Sequence, residues 1–279
     1  MSIETYARTF RGTYVLNLKS QFRFYTWAGW LVAELIGPFM LFASAWVIAR
    51  IVAGGGTPPR FLEATGYPDY LAFVLLGLAF NGLAQTALEG GGNAVYEEES
   101  AGTWDLVALT PMNRFVWMFS KTLAGLTAML LDTAIVVAVG AMFVSLVLTP
   151  SSVLVALAGL VLTLFALQGF GFLMAAAGLI WKQPFALAIL LAPIVILLSG
   201  MMFPISALPG WAQVVSMAFP LTHGIEVARG ALLLGLGFAE LAGPFTMLAL
   251  TGAAHMAVGY TAFRIMERRA LASGKLGRY

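Results

Sequence analysis

The chain is 279 residues long, 60% hydrophobic and only 10% charged, with a mean hydropathy of +0.89 and a formal net charge of +2. Soluble domains carry about 25% charged residues, so this composition excludes a water-covered surface and points to an integral membrane protein. Cysteine is absent, which excludes disulfides, a thiol nucleophile and a thiolate metal site, and so small a net charge gives no case for nucleic acid as a partner.

Residues 1–25 contain no compact apolar run with a small-residue cleavage site. They alternate Tyr6, Phe10, Tyr14, Leu18, Phe22 and Tyr25 with Arg8, Arg11, Lys19 and Arg23. At helical spacing the four basic residues fall within about 120° of arc, opposite most of the aromatics. This pattern predicts an amphipathic helix lying in the membrane interface; the other reading is a disordered basic tail. Six stretches then have the length and apolarity of spanning helices: 28–52, 70–92, 116–148, 152–180, 185–202 and 241–265. Between the last two, 203–237 is apolar but cut by Pro204, Pro209 and Pro220. Its pieces are too short to cross, so it reads as a re-entrant or interfacial helical hairpin. The expected fold is all-α: one transmembrane domain of six helices over 1–279, with an interfacial helix, a short loop helix and an outer hairpin.

Six crossings put both termini on one side. If that side is cytoplasmic, Arg8, Arg11, Lys19, Arg23, Arg114, Lys121, Lys182, Arg264, Arg268, Arg269, Lys275 and Arg278 face the cytoplasm, and only Arg50, Arg60 and Arg229 lie outside. Basic residues favour the cytoplasmic face, so both termini are expected inside the cell membrane. The hairpin then lies at the outer face.

The loop 97–111 on the inner side is unusual for so apolar a chain. Glu97, Glu98 and Glu99 precede Gly102 and Thr103, and Trp104, Asp105 and Leu106 continue to Thr110 and Pro111. Thr103 suits an N-cap and Asp105 suits the positive end of a short helix. Pro111 disfavours helix at Thr110 and closes the element. The result is either a rigid protrusion for a cytosolic partner or a solvated acidic loop.

At membrane depth the candidates are Glu34, Arg50, Asp132 and His255, with Asn81, Gln85 and Gln168 as uncharged polar groups. Intramembrane charge is costly, so these residues read as a polar path or a charged seam, or else as structural hydrogen-bonding groups. His255 and His223 are the only histidines, and no metal site is expected. In the hairpin, Glu226 and Arg229 stand three apart on one helix face, which predicts an ion pair at an outer gate or a headgroup anchor. Pro38, Pro184, Pro193 and the glycines of 89–93 are flexible points or close-packing points. No G-x-S-x-G, H-E-x-x-H or GxxxxGK[ST] occurs, so an enzyme reading has no motif and any ATP must be bound elsewhere.

The stretch EEESAGTWDLVALTPMNRF (97–115) resembles the first cytoplasmic loop of permease subunits of type-2 ABC exporters. That pattern is acids, Gly-Thr, an apolar-acidic-Leu run, Thr-Pro and a basic or aromatic restart. A second stretch, SGMMFPISALPGWAQVVSMAFPLTHGIEVARGALLLG (199–235), resembles the same family's Gly-x-x-Phe-Pro, Leu-Pro and Pro-Leu-Thr succession before an Arg and a Leu-rich run. Two departures stand out: 97–99 are all acidic where the family often has an Arg, and Trp104 replaces a smaller apolar residue.

The resemblance implies that 97–111 is a coupling element docking on a separate ATPase. Glu97, Glu98, Glu99, Gly102, Thr103, Trp104, Asp105, Leu106, Thr110 and Pro111 would be its contact residues. Two ATPase copies would serve two permease subunits, paired as a homo- or heterodimer in the bilayer, with ATP and Mg on the ATPase and no cofactor on this chain. From their own chemistry and placement, Glu34, Asp132, Phe203, Pro204, Pro220, Glu226 and Arg229 are the candidates to line the translocation path or gate. The expected cargo is an amphipathic small molecule, drug or lipid-linked compound. The alternative is a stand-alone secondary transporter or channel with Glu34 and Asp132 as an ion or proton relay.

Overall fold

The computed structural model describes residues 3–21, 57, 59–103, 107, 109, 110, 112–181 and 184–273, with scattered positions between 29 and 51. Among the described residues every regular element is helical: α1 (Ile3–Gln21), α2 (Pro59–Thr65), α3 (Tyr70–Ala79), α4 (Asn81–Ser100), α5 (Arg114–Gly140), α6 (Pro150–Gly178), α7 (Pro184–Leu198), α8 (Gly210–Ala218), α9 (Pro220–Leu234) and α10 (Ala242–Ser273), plus one 3-10 turn (Ile205–Ala207). The predicted span 28–52, with Glu34, Pro38 and Arg50, lies largely outside the described residues.

Local chemistry explains where the helices begin. Asp69 Oδ1 accepts from the Leu71 and Ala72 amides at 2.8 and 3.2 Å. Asn113 Oδ1 accepts from Phe115 and Val116, and Thr149 Oγ1 accepts from Ser152. Each satisfies amides that a helix start leaves without partners. Proline opens α2, α6, α7 and α9, where its missing N–H costs nothing and its fixed φ suits the first turn.

Three segments among the described residues are long and apolar enough to cross a membrane: Tyr70–Glu98, Arg114–Gly140 and Pro150–Gly178. The first combines α3 and α4, with only a local break at Phe80. Helix α7 is apolar but has 15 residues, about 22 Å of helix, which is less than a hydrocarbon core of about 30 Å. Helix α10 has 32 residues, but its second half is basic. Span 116–148 is shorter as built. Helix α5 stops at Gly140, and the chain beyond it finds other partners, with the Val147 amide donating to Leu232 O of α9 at 2.7 Å. The two predicted hairpin pieces form α8 and α9, separated at Phe219–Pro220.

Helix α6 is the centre of the bundle, packed against α10, α4 and α9, while α4 also touches α5 and α7. Leu75, Leu76, Leu83, Leu167, Leu221 and Ile225 are buried there. The outside is also apolar: Leu154, Leu157, Val161 and Phe165 form one exposed face of α6, 49–60% open. A contiguous apolar exterior of this kind marks a lipid-facing surface. The triple glycine is chiefly a packing device. A Cβ on Gly91 would collide with the Gly171 carbonyl of α6, and one on Gly92 would come within 2.6 Å of Pro184, whereas Gly90 has open space before it. Helix α1 lies along α5, with Phe10 6.5 Å from Phe119 and with Arg8, Arg11 and Lys19 exposed.

Candidate functional site: a polar cleft and its two anchored ends

Helix α4 carries Asn81, Gln85, Glu89, Asn93 and Glu97 at every fourth position. That spacing drifts only about 40° per step, so the five form one gently winding stripe. The stripe borders a cleft of about 560 Å3, whose other walls include Lys121 and Asp132 of α5 and Asn17 of α1. The cleft has apolar parts too, at Leu78 and Met129. Asp132 is buried, and its Oδ2 would stand 3.0 Å from a Cβ placed on Gly82. Thr122, also on the wall, donates to Gln168 Oε1 of α6. Asn81 Oδ1 and Gln168 Nε2 are buried without a hydrogen-bond partner. Of these residues, Asn81, Gln85, Asp132 and Gln168 carry a readable sequence signal. Glu89 was missed, although its place in the four-residue register marks it.

At the loop end of α4, Lys121 Nζ sits 3.1 Å from Glu97 Oε2 and 3.2 Å from both Glu98 Oε1 and the Ala94 carbonyl. Gly102, at φ +68°, stops the helix. The Thr103 amide reaches back to Glu98 O at 2.8 Å, a closure that needs a left-handed residue one position earlier. The Gly-Thr pair of the sequence is therefore a helix stop. The Thr103 hydroxyl donates to Glu98 Oε2 at 2.5 Å, and its carbonyl accepts from Val107 N at 3.0 Å, the first bond of the loop turn. Thr110 Oγ1 and Arg114 Nη1 both donate to Val107 O, at 2.8 and 2.5 Å. Arg114 Nε also meets Glu267 of α10 at 3.1 Å, and Arg264 Nη1 meets the other Glu267 oxygen at 3.1 Å. Thus the loop is tied at one side to α4 and at the other, through Arg114, to α10. Trp104, Asp105, Leu106 and Pro111 lie outside the described residues, as does the side chain of Glu99. Leu109 is 83% exposed and projects from the loop; it was not singled out from the sequence.

The hairpin end is built around Arg229. This residue is buried, and its guanidinium donates to Phe73 O at 3.0 Å, Gly200 O at 2.9 Å and Met201 O at 2.7 Å. It also lies 3.3 Å from the Phe73 ring centroid, a cation–π distance. Gly77 makes room: a Cβ there would strike the Met201 carbonyl and come within 2.6 Å of Arg229 Nη2. The ion pair expected between Glu226 and Arg229 is not formed. Glu226 is half exposed and faces His223, with 3.7 Å between their polar atoms, while Arg229 turns inward to the carbonyls of α3 and of the turn after α7. Burial raises the pKa of the nearby Tyr67 phenol, and the Arg229 charge partly opposes the rise. Phe203 is exposed, Pro204 precedes the 3-10 turn, and Pro220 is buried at the start of α9.

His255 stacks on Phe170 at 4.8 Å, near Phe219 at 6.2 Å, and its Nδ1 is 2.9 Å from Thr251 O. No cluster of three or more potential metal ligands occurs among the described residues.

A family model described as ABC-2 type transporter matches residues 39–233, a range that takes in the α4 and α5 walls of the cleft, the loop and Arg229. No curated protein matches the chain.

Proposed function

The chain belongs to the ABC-2 type transporter family, a multi-pass membrane component that partners an ABC ATPase and is not itself catalytic, and from that premise we propose that it is the membrane subunit of an ATP-driven exporter. Six helices cross the membrane with both termini in the cytoplasm. Residues 97–111 engage the ATPase, which carries ATP and Mg, and two permease subunits work with two ATPases. The hairpin 203–237 closes the outer end. The cleft along α4 accepts the cargo, and its mixture of amides, carboxylates and apolar surface suits an amphipathic small molecule, drug or lipid-linked compound.

One observation carries this reading: the polar wall of the cleft and the root of the loop are the same helix. Asn81, Gln85 and Glu89 border the cleft, and sixteen residues on from Asn81 the same stripe reaches Glu97 and the Lys121 clamp. Sixteen residues span about 24 Å, so a force on the loop reaches the cleft through a continuous rod. The unpartnered Asn81 and Gln168 atoms at the cleft are groups that a polar cargo or water would satisfy. The ion-relay alternative has no further observation in its favour.

The test is co-expression with an ABC ATPase and measurement of cargo-stimulated ATP hydrolysis in vesicles. The expected outcome is co-purification that is lost when Gly102, Thr103 and Trp104 are replaced together, and stimulation that is lost in Glu89→Gln/Asp132→Asn without loss of the complex. Ion-coupled flux by the purified chain alone, without any ATPase, would return the secondary-transporter reading. So would labelling of a Leu109→Cys variant from outside intact cells, since the loop would then face the wrong compartment.

A further inference from the structure

A second cavity, of about 390 Å3, opens where α10 passes the start of α5; Arg114, Arg264, Arg268, Glu267, Asn113 and Tyr260 line it. Its charge is unequal. Among the described lining residues Glu267 is the one carboxylate, and it meets two guanidiniums, Arg114 at 3.1 Å and Arg264 at 3.1 Å. Arg268 adds a third guanidinium, exposed and with no ion pair among the described residues. Arg264 remains 40% open. The neutral donors are fixed in place. Asn113 uses its oxygen on two backbone amides, at 2.9 and 3.4 Å, which leaves its N–H groups as donors. The Tyr260 ring is wedged edge-on between Phe115 at 5.1 Å and Phe172 at 5.7 Å. The dipole of α5, whose first turn borders the cavity, has the same positive sign. A rigid fork of guanidiniums with hydroxyl and amide donors suits the tetrahedral oxygens of a phosphate group.

The surroundings indicate which phosphate. Met247, Leu250, Val258 and Ile265 are 51%, 61%, 60% and 43% exposed on α10. At 100° per residue, these four and Arg268 fall within about 80° of arc. A lipid-facing apolar stripe therefore runs straight into the arginines, as acyl chains run into a headgroup. We propose that this cavity holds the phosphate of an anionic phospholipid, with its acyl chains along the exposed stripe of α10. The site needs only a bilayer around the bundle, so it stands or falls separately from ATP-driven transport.

The test is native mass spectrometry of the full-length chain, released from neutral detergent after equilibration with equal amounts of phosphatidylglycerol and phosphatidylcholine of matched chains. The expected result is preferential retention of phosphatidylglycerol. Arg268→Ala should weaken it roughly fivefold, the worth of one arginine beside a charged headgroup, and Arg268→Lys should restore most of it. Arg269→Ala is the control, because Arg269 is exposed on the neighbouring position and does not line the cavity. Arg268 makes no ion pair among the described residues, so circular dichroism of its variants should match the native chain. Equal losses in Arg268→Ala and Arg269→Ala would overturn the proposal, because diffuse surface charge would then explain the retention. Inorganic phosphate bound in an Arg268-dependent way, with lipid retention unaffected, would also overturn it and assign the cavity to a soluble anion. So would unchanged lipid retention in Arg268→Ala accompanied by weaker co-purification of the ATPase, which would make the arginines a protein contact.

Discussion

The two ends of the helix pair α3–α4 are held by opposite means. At the hairpin end one buried cation, Arg229, is met by three backbone carbonyls at 2.7–3.0 Å and, among the described residues, by no carboxylate within ion-pair distance. At the loop end every clamping cation is met by a carboxylate: Lys121 by Glu97 and Glu98, and Arg114 and Arg264 by Glu267. Carbonyls are fixed to the backbone, so Arg229 defines one geometry and resists any other. Carboxylates ride on flexible side chains, so Lys121 and Arg114 can keep a partner while helices shift by an ångström or two. The hairpin end is therefore a staple and the loop end a set of adjustable joints, the arrangement that the proposed drive from the loop calls for.

The largest effect should come from breaking the staple. Arg229→Met takes a donor from three carbonyls, two of which, Gly200 O and Met201 O, lie outside any helix, and at roughly 1–3 kcal/mol for each stranded group the total should reach about 2–5 kcal/mol, read from denaturant unfolding of the purified chain in detergent. Arg229→Lys should recover less than half, because one ammonium cannot span the three positions; full recovery would mean that charge alone, and not the fork, holds this end. Next is Glu267→Gln, with an expected loss of about 2–4 kcal/mol since it takes a charged partner from Arg114 in a nearly dry site. A double-mutant cycle with Arg114→Gln should return a coupling of at least about 1 kcal/mol, and a value near zero would remove the joint between loop and α10. Lys121→Met should cost about 1 kcal/mol or less, because Glu97 is 64% exposed and such pairs are screened; the native–variant difference should shrink as salt is added. The smallest effect on stability is expected for Leu109→Ala, within about 0.5 kcal/mol, although the same change should weaken the hold on the ATPase about tenfold.

Sequence reading reached some of this directly. Low charge and apolar runs follow from the bilayer as solvent, and Pro209 and Pro220 mark the hairpin pieces because proline lacks the N–H that a continuing helix needs. Gly102 and Thr103 were also legible as a motif, with Thr103 read as an N-cap; its carbonyl accepts the first bond of the loop turn, while its hydroxyl turns back to Glu98 and Gly102 closes α4 in the left-handed region. What escaped shares one physical origin. Arg229 was matched with Glu226 because carboxylates are visible in a sequence, whereas a backbone carbonyl is an acceptor at every position and leaves no mark. The end of α5 at Gly140 has the same cause, since Val147 takes its acceptor from a residue 85 positions away, Leu232. Glu267 was hidden because Arg114, the partner that ties it to the loop, stands 153 positions away, and Glu89 because one carboxylate beside three glycines reads as a flexible or close-packing point until the four-residue register is laid out.

The winding stripe on α4 carries a thermodynamic obligation. Whatever occupies the hollow beside Glu89 and whatever grips the turn beyond Gly102 act on one stiff object. If the first occupant makes the second bind more tightly by some factor, the second must return the same factor to the first. Cargo affinity measured with and without the cytosolic subunit, and subunit affinity measured with and without cargo, should then yield one number twice.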